Sequence, residues 1–150
     1  MIMYIKLAIC DDEMEICGQI ESVLIDILEK EAIEYDIDVY SSGESLCAEL
    51  ERSRYDFIFL DIEFPDMNGV EVGRYIRENL RDEFVQIAYI SSKTEYSMQL
   101  FDYRPINFLV KPLTVEKIKK VIDKYMLIAR QGNYLFEYKK GHDFFSVPMS

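Results

Sequence analysis

Short apolar runs separated by longer amphipathic stretches constrain the fold of this chain more than any other feature. Each run has four to seven residues, is rich in β-branched and aromatic side chains, and is typical of a buried strand. The stretches between the runs repeat apolar residues every three or four positions, as amphipathic helices do. The last helix is predicted from an N-cap at Thr114 to Arg130. The predicted strands cover residues 4–10, 37–40, 55–60, 84–90 and 106–110.

This alternation predicts an α/β fold, a doubly wound five-stranded parallel sheet with helices on both faces. Parallel strands need crossover connections, and each crossover helix covers a face of the sheet. Ligands of such folds bind at the carboxyl edge of the strands. Polar residues follow four of the strands, and we expect them to converge there. They are Asp11, Asp12, Asp61, Ser91 and Lys111.

The chemistry of these five residues indicates phosphoryl transfer assisted by a divalent cation. Three carboxylates at one edge repel each other unless a cation neutralises them. Oxygen ligands without nearby His or Cys favour Mg²⁺, which keeps waters that a phosphate can replace. Lys111 and Ser91 are suited to hold phosphoryl oxygens, and Asp61 to attack phosphorus as a nucleophile.

Charge is unevenly distributed along the chain. The net charge of −11 over 150 residues argues against a nucleic-acid binder held by phosphate neutralisation. However, residues 1–103 hold 8 basic and 24 acidic side chains, whereas residues 104–150 hold 9 basic and 4 acidic ones. The acidity therefore belongs to the predicted α/β domain, and part of it lies at the predicted cation site.

Cysteine usage and hydropathy predict a soluble, cytoplasmic protein with no membrane contact. Cys10, Cys17 and Cys47 form neither a CxxC pair nor an even disulfide set, which favours a reducing compartment. Apolar runs stay well below the roughly 20 residues that span a bilayer. Asp11 and Asp12 come too early for a signal peptide.

Four motifs in a fixed order carry a family resemblance. They are ICDDE at residues 9–13, FLDIEFPDMNG at 59–69, YISS at 89–92 and NFLVKP at 107–112. With these motifs the sequence resembles the receiver domain of bacterial two-component response regulators, from residue 3 to about residue 130. The resemblance implies a flavodoxin-like (βα)5 fold with strand order 2-1-3-4-5. It also implies a cis bond between Lys111 and Pro112.

The resemblance implies a role for each site residue. Asp61 is the expected phosphoacceptor, Lys111 the phosphate-binding lysine, and Ser91 the switch hydroxyl that acts with the aromatic Phe108. Asp11, Asp12, Asp61 and the backbone carbonyl of Glu63 are the expected Mg²⁺ ligands. The Glu63 carboxylate is in reach of the cation site or of Lys93.

The implied function is signalling. A sensor histidine kinase transfers a phosphoryl group to the receiver, which catalyses only its own phosphorylation and dephosphorylation. The phosphorylated receiver then forms a homodimer through its fourth helix, fifth strand and fifth helix.

The C-terminal residues suggest the subfamily. Residues 134–150 contain two aromatic-rich runs around a glycine, Gly141, and predict a β-hairpin. A receiver followed by such a hairpin is similar to regulators with a LytTR-type DNA-binding domain. We therefore expect a receiver at residues 1–130, and at 131–150 a linker and the start of a truncated DNA-binding domain. DNA is expected to bind only through the missing C-terminal part, in the control of transcription.

Two other functions remain open at this point. A phosphatase of the haloacid-dehalogenase type also uses an aspartate nucleophile and Mg²⁺, but its second aspartate is replaced here by Glu63. A stand-alone or phosphorylation-independent receiver would act only as a protein-interaction module. His142, the only histidine, lies in the predicted hairpin turn, which excludes a histidine phosphotransfer protein and a Ser-His-Asp hydrolase.

Overall fold

The computed structural model describes residues 3–95 and 97–141, and within them strands and helices alternate as predicted. The third helix continues into a π-helical turn at Tyr75–Asn79, and the fourth into a 3₁₀ turn at Phe101–Tyr103. The strands are β1 (Tyr4–Cys10), β2 (Glu34–Tyr40), β3 (Phe57–Asp61), β4 (Gln86–Ser91) and β5 (Asn107–Val110). The helices are α1 (Met14–Lys30), α2 (Gly43–Leu50), α3 (Gly69–Arg74), α4 (Ser97–Leu100) and α5 (Val115–Gly141).

All five strands pair in parallel in the order β2-β1-β3-β4-β5, which confirms the predicted topology. Cys10 on β1 is in register with Leu60 on β3, which is in register with Tyr89 on β4. Tyr89 is in turn in register with Phe108 on β5. The carboxyl ends of these four strands therefore lie side by side.

Two hydrophobic clusters, one on each face of the sheet, form the core. The α1/α5 layer packs Leu24 of α1 and Ile122 of α5 against Phe59 and its neighbours on one face. The α2–α4 layer, made of α2, α3 and α4, packs Leu46 and Leu100 among others against the opposite face. Side chains of one strand alternate between the two layers, as the pleat requires.

Side-chain capping marks the start of one helix in each layer. The Thr114 hydroxyl accepts a hydrogen bond from the backbone N–H of Lys117 at 3.2 Å, which confirms Thr114 as the N-cap of α5. At α3, the Asn68 side chain and the Glu71 side chain form a reciprocal capping box. One helix of each layer therefore has a side-chain partner for a free N–H group of its first turn, whereas the N-cap residue of α1, Glu13, makes no side-chain capping bond.

Two lysines of α5 hold β5. The ammonium of Lys117 donates to the carbonyl oxygens of Val110 at 2.8 Å and Pro112 at 2.9 Å. The ammonium of Lys124 donates to the carbonyl oxygen of Ile106 at 2.8 Å. These bonds tie both ends of the strand to one helix.

The predicted end of the last helix is wrong. The sequence indicates a helix to Arg130 and a hairpin over residues 134–150, but α5 continues to Gly141, so the first arm of the hairpin is helical. An isolated hairpin is marginal in water, whereas extending an existing helix avoids a new nucleation step. The segment between Thr114 and Gly141 also contains no proline that would stop a helix. The second arm and His142 lie outside the described residues.

Three further expectations concern cysteines, the peptide bond before Pro112 and membrane contact. Cys10, Cys17 and Cys47 are buried free thiols. The peptide bond between Lys111 and Pro112 is cis, as the resemblance implies. Within the part of the chain that the structure describes, helices are too short or too polar to cross a bilayer.

Candidate functional site

The central strands place two aspartates side by side at the carboxyl edge. Asp61 ends β3, and Asp11 follows β1, whose last residue Cys10 is in register with Leu60. The Asp11 backbone N–H donates to the carbonyl oxygen of Tyr40 at 3.0 Å, which extends the hydrogen bonding between β1 and β2. Both side chains are buried.

Asp11, Asp12 and Asp61 form a compact carboxylate cluster. One oxygen from each lies within 4.8 Å of the others. Burial, and next the charge of Asp11, raise the pKa of Asp61 to about 6. Burial also raises the pKa of Asp11, against hydrogen bonding from the Glu13 backbone and the charge of Lys111. The cluster is thus short of positive charge.

Lys111 supplies the positively charged side chain of this site. Its Nζ lies 3.3 Å from Asp11 Oδ2, 3.7 Å from Asp61 Oδ1 and 3.4 Å from Glu13 Oε1. Burial lowers the pKa of the ammonium, but the charges of Asp61 and Asp11 outweigh it, and the net effect raises that pKa. Its backbone N–H donates to the Ser91 carbonyl oxygen at 2.8 Å, which holds the Lys111 backbone next to the end of β4.

The donor set fits a divalent cation. Among the described residues, Asp11 Oδ2 is buried with no hydrogen-bond partner, and the Lys111 ammonium lies beside it as an ion pair. A buried carboxylate oxygen with free lone pairs, next to two more carboxylates, is the arrangement that Mg²⁺ binds.

Ser91 is buried at the end of β4 and contacts Glu63. Its hydroxyl donates a hydrogen bond to the Glu63 carboxylate and accepts one from the Lys93 backbone N–H at 2.9 Å. Glu63 Oε1 also accepts from the Ser92 backbone N–H at 3.1 Å. Burial acts to raise the pKa of Glu63, but the hydrogen bonds from Ser91 and Ser92 lower it overall.

The Glu63 carboxylate therefore occupies neither of the two expected places. Among the described residues it makes no ion pair with Lys93, and the carboxylate cluster consists of Asp11, Asp12 and Asp61. Its backbone N–H donates to Asp61 Oδ1 at 3.4 Å.

A glycine allows the loop after β3 to close on the site. The Gly69 backbone N–H donates to the Ile62 carbonyl oxygen at 2.9 Å. A Cβ on Gly69 would lie 2.4 Å from the Asp61 carbonyl oxygen and 2.7 Å from the Ile62 Cα. Since these are backbone atoms, they cannot move aside cheaply, and the loop geometry depends on glycine here.

Phe108 lies on β5 beside Tyr89 and packs, half-buried, against the cluster of the α2–α4 layer. Ser91 lies two residues after Tyr89 on β4, so strand alternation puts the Ser91 and Tyr89 side chains on the same face. The serine and the aromatic residue thus belong to neighbouring strands and to one layer.

Sequence reasoning missed two contacts of the site. Glu13 pairs with Lys111, and Ser92 donates from both its backbone and its hydroxyl to Glu63. Both residues lie inside the motifs ICDDE and YISS. The sequence offered two signals for these contacts. Glu13 is an acidic residue next to two predicted ligands, and Ser92 is a second serine next to Ser91.

The response regulator receiver domain family matches residues 7–123. The chain belongs to this family. Response regulator ArlR of Staphylococcus saprophyticus is 31% identical to this receiver over 113 residues, 75% of the chain and 48% of ArlR. Sensory transduction protein LytT of Bacillus cereus is 28% identical over 126 residues, 81% of the chain and 47% of LytT. The chain thus spans less than half the length of these relatives.

Relatives of the receiver also include transcriptional regulatory protein LytR of Staphylococcus aureus, in agreement with the predicted resemblance to LytTR-type regulators. Among solved structures, the receiver domain of AraT from Geobacillus stearothermophilus has a TM-score of 0.71 at 22% identity, covering 85% of this chain and 97% of that one. This likeness confirms the receiver fold. Family membership also disfavours the phosphatase alternative.

Proposed function

We propose that Asp61 accepts a phosphoryl group from a sensor histidine kinase in a two-component system. The observation that carries this proposal is the buried carboxylate of Asp61 at a strand end, with the Lys111 ammonium 3.7 Å away and two further carboxylates beside it. A buried nucleophile next to a fixed ammonium and a cation site is suited to phosphoryl transfer, which depends on positioning and charge neutralisation.

Mg²⁺ would be held by Asp11, Asp12 and Asp61, together with the backbone carbonyl of Glu63. When bound, the ion neutralises charge on the carboxylates and on the transferred phosphoryl oxygens. The free lone pairs of Asp11 Oδ2 support this assignment.

Asp61 must be ionised to act as a nucleophile. Lys111 opposes the burial that raises the pKa of Asp61, and so favours the carboxylate. A carboxylate oxygen then bonds to phosphorus while the bond from phosphorus to the donor histidine nitrogen breaks. The imidazole leaves with that electron pair, and Lys111 stabilises the charge of the new acyl phosphate.

The phosphoryl group would act as a switch through Ser91 and Phe108. It adds about −1.5 to −2 charges and three acceptor oxygens at the end of the sheet. The Ser91 hydroxyl turns towards an oxygen, Phe108 moves inward beside Tyr89, and the face formed by α4, β5 and α5 changes shape. That face then forms a homodimer.

The output proposed for this receiver is control of transcription. Relatives that include LytR, named a transcriptional regulatory protein, are about twice as long as the matched segment. We assign residues 1–130 to the receiver and residues 131–150, of which 131–141 continue α5, to a linker and the start of a LytTR-type DNA-binding domain. The DNA contact would lie in the part of such a domain that follows.

The test is phosphorylation by a small donor. Purified chain incubated with acetyl phosphate and Mg²⁺ should gain the mass of one phosphoryl group. Asp61→Ala should gain none, whereas Asp66→Ala, which removes an exposed carboxylate from the same loop, should react as the wild type does. A phosphoryl group retained by Asp61→Ala would contradict the assignment.

Oligomeric state separates the switch from a phosphorylation-independent interaction module. Beryllofluoride mimics the phosphoryl group, so a switch should dimerise in its presence and remain monomeric in its absence. Equal oligomeric states under both conditions would favour the interaction module.

A further inference from the structure

The Glu63 carboxylate joins the ends of β3 and β4. Its Oε1 accepts from the Ser91 hydroxyl, from the Ser92 backbone N–H at 3.1 Å and from the Ser92 hydroxyl at 3.0 Å. Its Oε2 lies 2.9 Å from the same Ser92 hydroxyl. We call these three residues, Glu63, Ser91 and Ser92, the Glu63 latch.

The Ser91 hydroxyl has no hydrogen left for another acceptor. A serine hydroxyl carries one hydrogen, and here that hydrogen is donated to Glu63. One of its lone pairs accepts from the Lys93 backbone N–H at 2.9 Å. A bond from Ser91 to a phosphoryl oxygen on Asp61 therefore requires the bond to Glu63 to break.

The competition is between two anions. A carboxylate makes a charge-assisted hydrogen bond with a hydroxyl, and a phosphoryl oxygen makes one of the same kind. Glu63 lies two residues after Asp61, so negative charge added at Asp61 also repels the carboxylate that holds Ser91. The new group thus attracts the donor and repels its present acceptor.

We propose that the Glu63 carboxylate is an internal competitor of the phosphoryl group, which holds Ser91 and Ser92 until Asp61 is modified. This inference rests on the proposed phosphorylation of Asp61 and adds a regulation of that site. Displacement of the Glu63 carboxylate also removes the acceptor of the Ser92 N–H, the first backbone donor after β4.

The first test measures the affinity of the chain for beryllofluoride with Mg²⁺ by calorimetry. Glu63→Ala removes the competitor, and its affinity should rise about tenfold, which corresponds to the loss of one hydrogen bond to a charged group. Glu63→Gln keeps the size of the side chain and one acceptor oxygen, and should give a smaller rise. Asp66→Ala should change the affinity little, because it removes the same charge from the same loop without a bond to Ser91.

A double-mutant cycle separates competition from simple charge removal. In Ser91→Ala the hydroxyl is absent, so the further change Glu63→Ala should tighten binding much less, because only the charge repulsion is left to remove. If Glu63→Ala tightens binding equally with and without the Ser91 hydroxyl, the effect is electrostatic and the latch is contradicted.

Hydrogen exchange at the Ser92 amide gives a readout that needs no affinity change. The amide should be protected in the wild type, and should lose protection in Glu63→Ala and in wild type bound to beryllofluoride. Protection that persists in the beryllofluoride complex would overturn the latch. Failure of wild type to bind beryllofluoride, or equal binding by Asp61→Ala, would instead refute the proposed function.

Discussion

The two helical layers differ in how much regular helix they contain. The α1/α5 layer has helices of 17 and 27 residues. In the α2–α4 layer, α2 has 8 residues, α3 has 6 before a π-helical turn, and α4 has 4 before a 3₁₀ turn. Short helices gain less from cooperative hydrogen bonding, so the α2–α4 layer is expected to open at lower free energy.

The groups of the site divide between the same two layers. Alternation along the strands puts Asp11, Asp61 and Lys111 on the face of Ile9, Phe59 and Leu109, which pack in the α1/α5 layer. Ser91 and Phe108 belong to the opposite face. The fixed chemistry of the site therefore lies on the rigid side of the sheet, and the proposed switch lies on the adaptable side.

The largest expected effect compares two fully buried leucines, one from each layer. Leu24 in α1 and Leu100 in α4 are both 0% exposed. Leu24→Ala should destabilise the protein by about 4 kcal/mol, and Leu100→Ala by about 2 kcal/mol, because a four-residue helix can collapse into the cavity. Urea denaturation measures both. Equal losses would show that the two layers are equally rigid.

The next effect concerns the stability that the folded protein loses when the buried Asp61 carboxyl group ionises. Its raised pKa of about 6, against a usual 3.8, means that the folded state binds the proton more tightly than the unfolded chain. Without Mg²⁺, stability should therefore fall as pH rises from about 4 to about 6.

Asp61→Asn should remove this loss and stabilise the metal-free protein at pH 7 by about 2 kcal/mol. Urea denaturation in EDTA at pH 5 and pH 7 tests this, with Asp66→Asn as the control that should leave the pH dependence intact. If Asp61→Asn is no more stable than the wild type at pH 7, the Asp61 carboxylate does not strain the fold.

Two glycines provide a matched pair of smaller effects. Gly69→Ala, at the start of α3, would place its Cβ 2.4 Å from the Asp61 carbonyl oxygen and should destabilise the fold by about 2 kcal/mol. Gly18→Ala, in α1, has open space and should stabilise the fold by about 0.5–1 kcal/mol. Thermal melts of the two variants measure whether each one destabilises or stabilises the fold. A tolerated Gly69→Ala would mean that the loop after β3 yields more easily than its backbone contacts imply.

The smallest effects compare the two N-caps. Asn68→Ala removes a capping box from a six-residue helix and should cost about 1 kcal/mol. Thr114→Ala removes one 3.2 Å hydrogen bond from a 27-residue helix and should cost about 0.5 kcal/mol. Denaturation midpoints of both variants measure the difference. If Thr114→Ala lost more stability than Asn68→Ala, the α1/α5 layer would depend on its helix cap more than the α2–α4 layer does.

Periodicity and edge position were enough to predict most of the fold and the carboxylate cluster. The apolar run at residues 4–10 coincides with β1, and parallel topology then brings Asp11 next to Asp61. These predictions succeed because the pattern of buried residues determines the layers, and the layers determine which strand ends are neighbours.

The remaining features depend on contacts that no local pattern encodes. The Glu63 carboxylate accepts hydrogen bonds from Ser91 and Ser92, which lie 28 and 29 positions further along the chain. The π-helical turn after α3 carries the buried Arg77, whose guanidinium donates to carbonyl oxygens of Tyr103 and Arg104. The sequence did not distinguish a hairpin at residues 134–150 from a longer α5, because an isolated hairpin and an extra length of helix are each only marginally stable.

Because α5 is long, a small change in its tilt moves its far end by a large distance. A helix of 27 residues is about 40 Å long, so a tilt of about 10° displaces its far end by about 7 Å. Lys117 and Lys124 couple this helix to β5, the strand of Phe108. Because these hydrogen bonds hold the first half of α5 against β5, any change in the tilt of the helix would displace its C-terminal end the most.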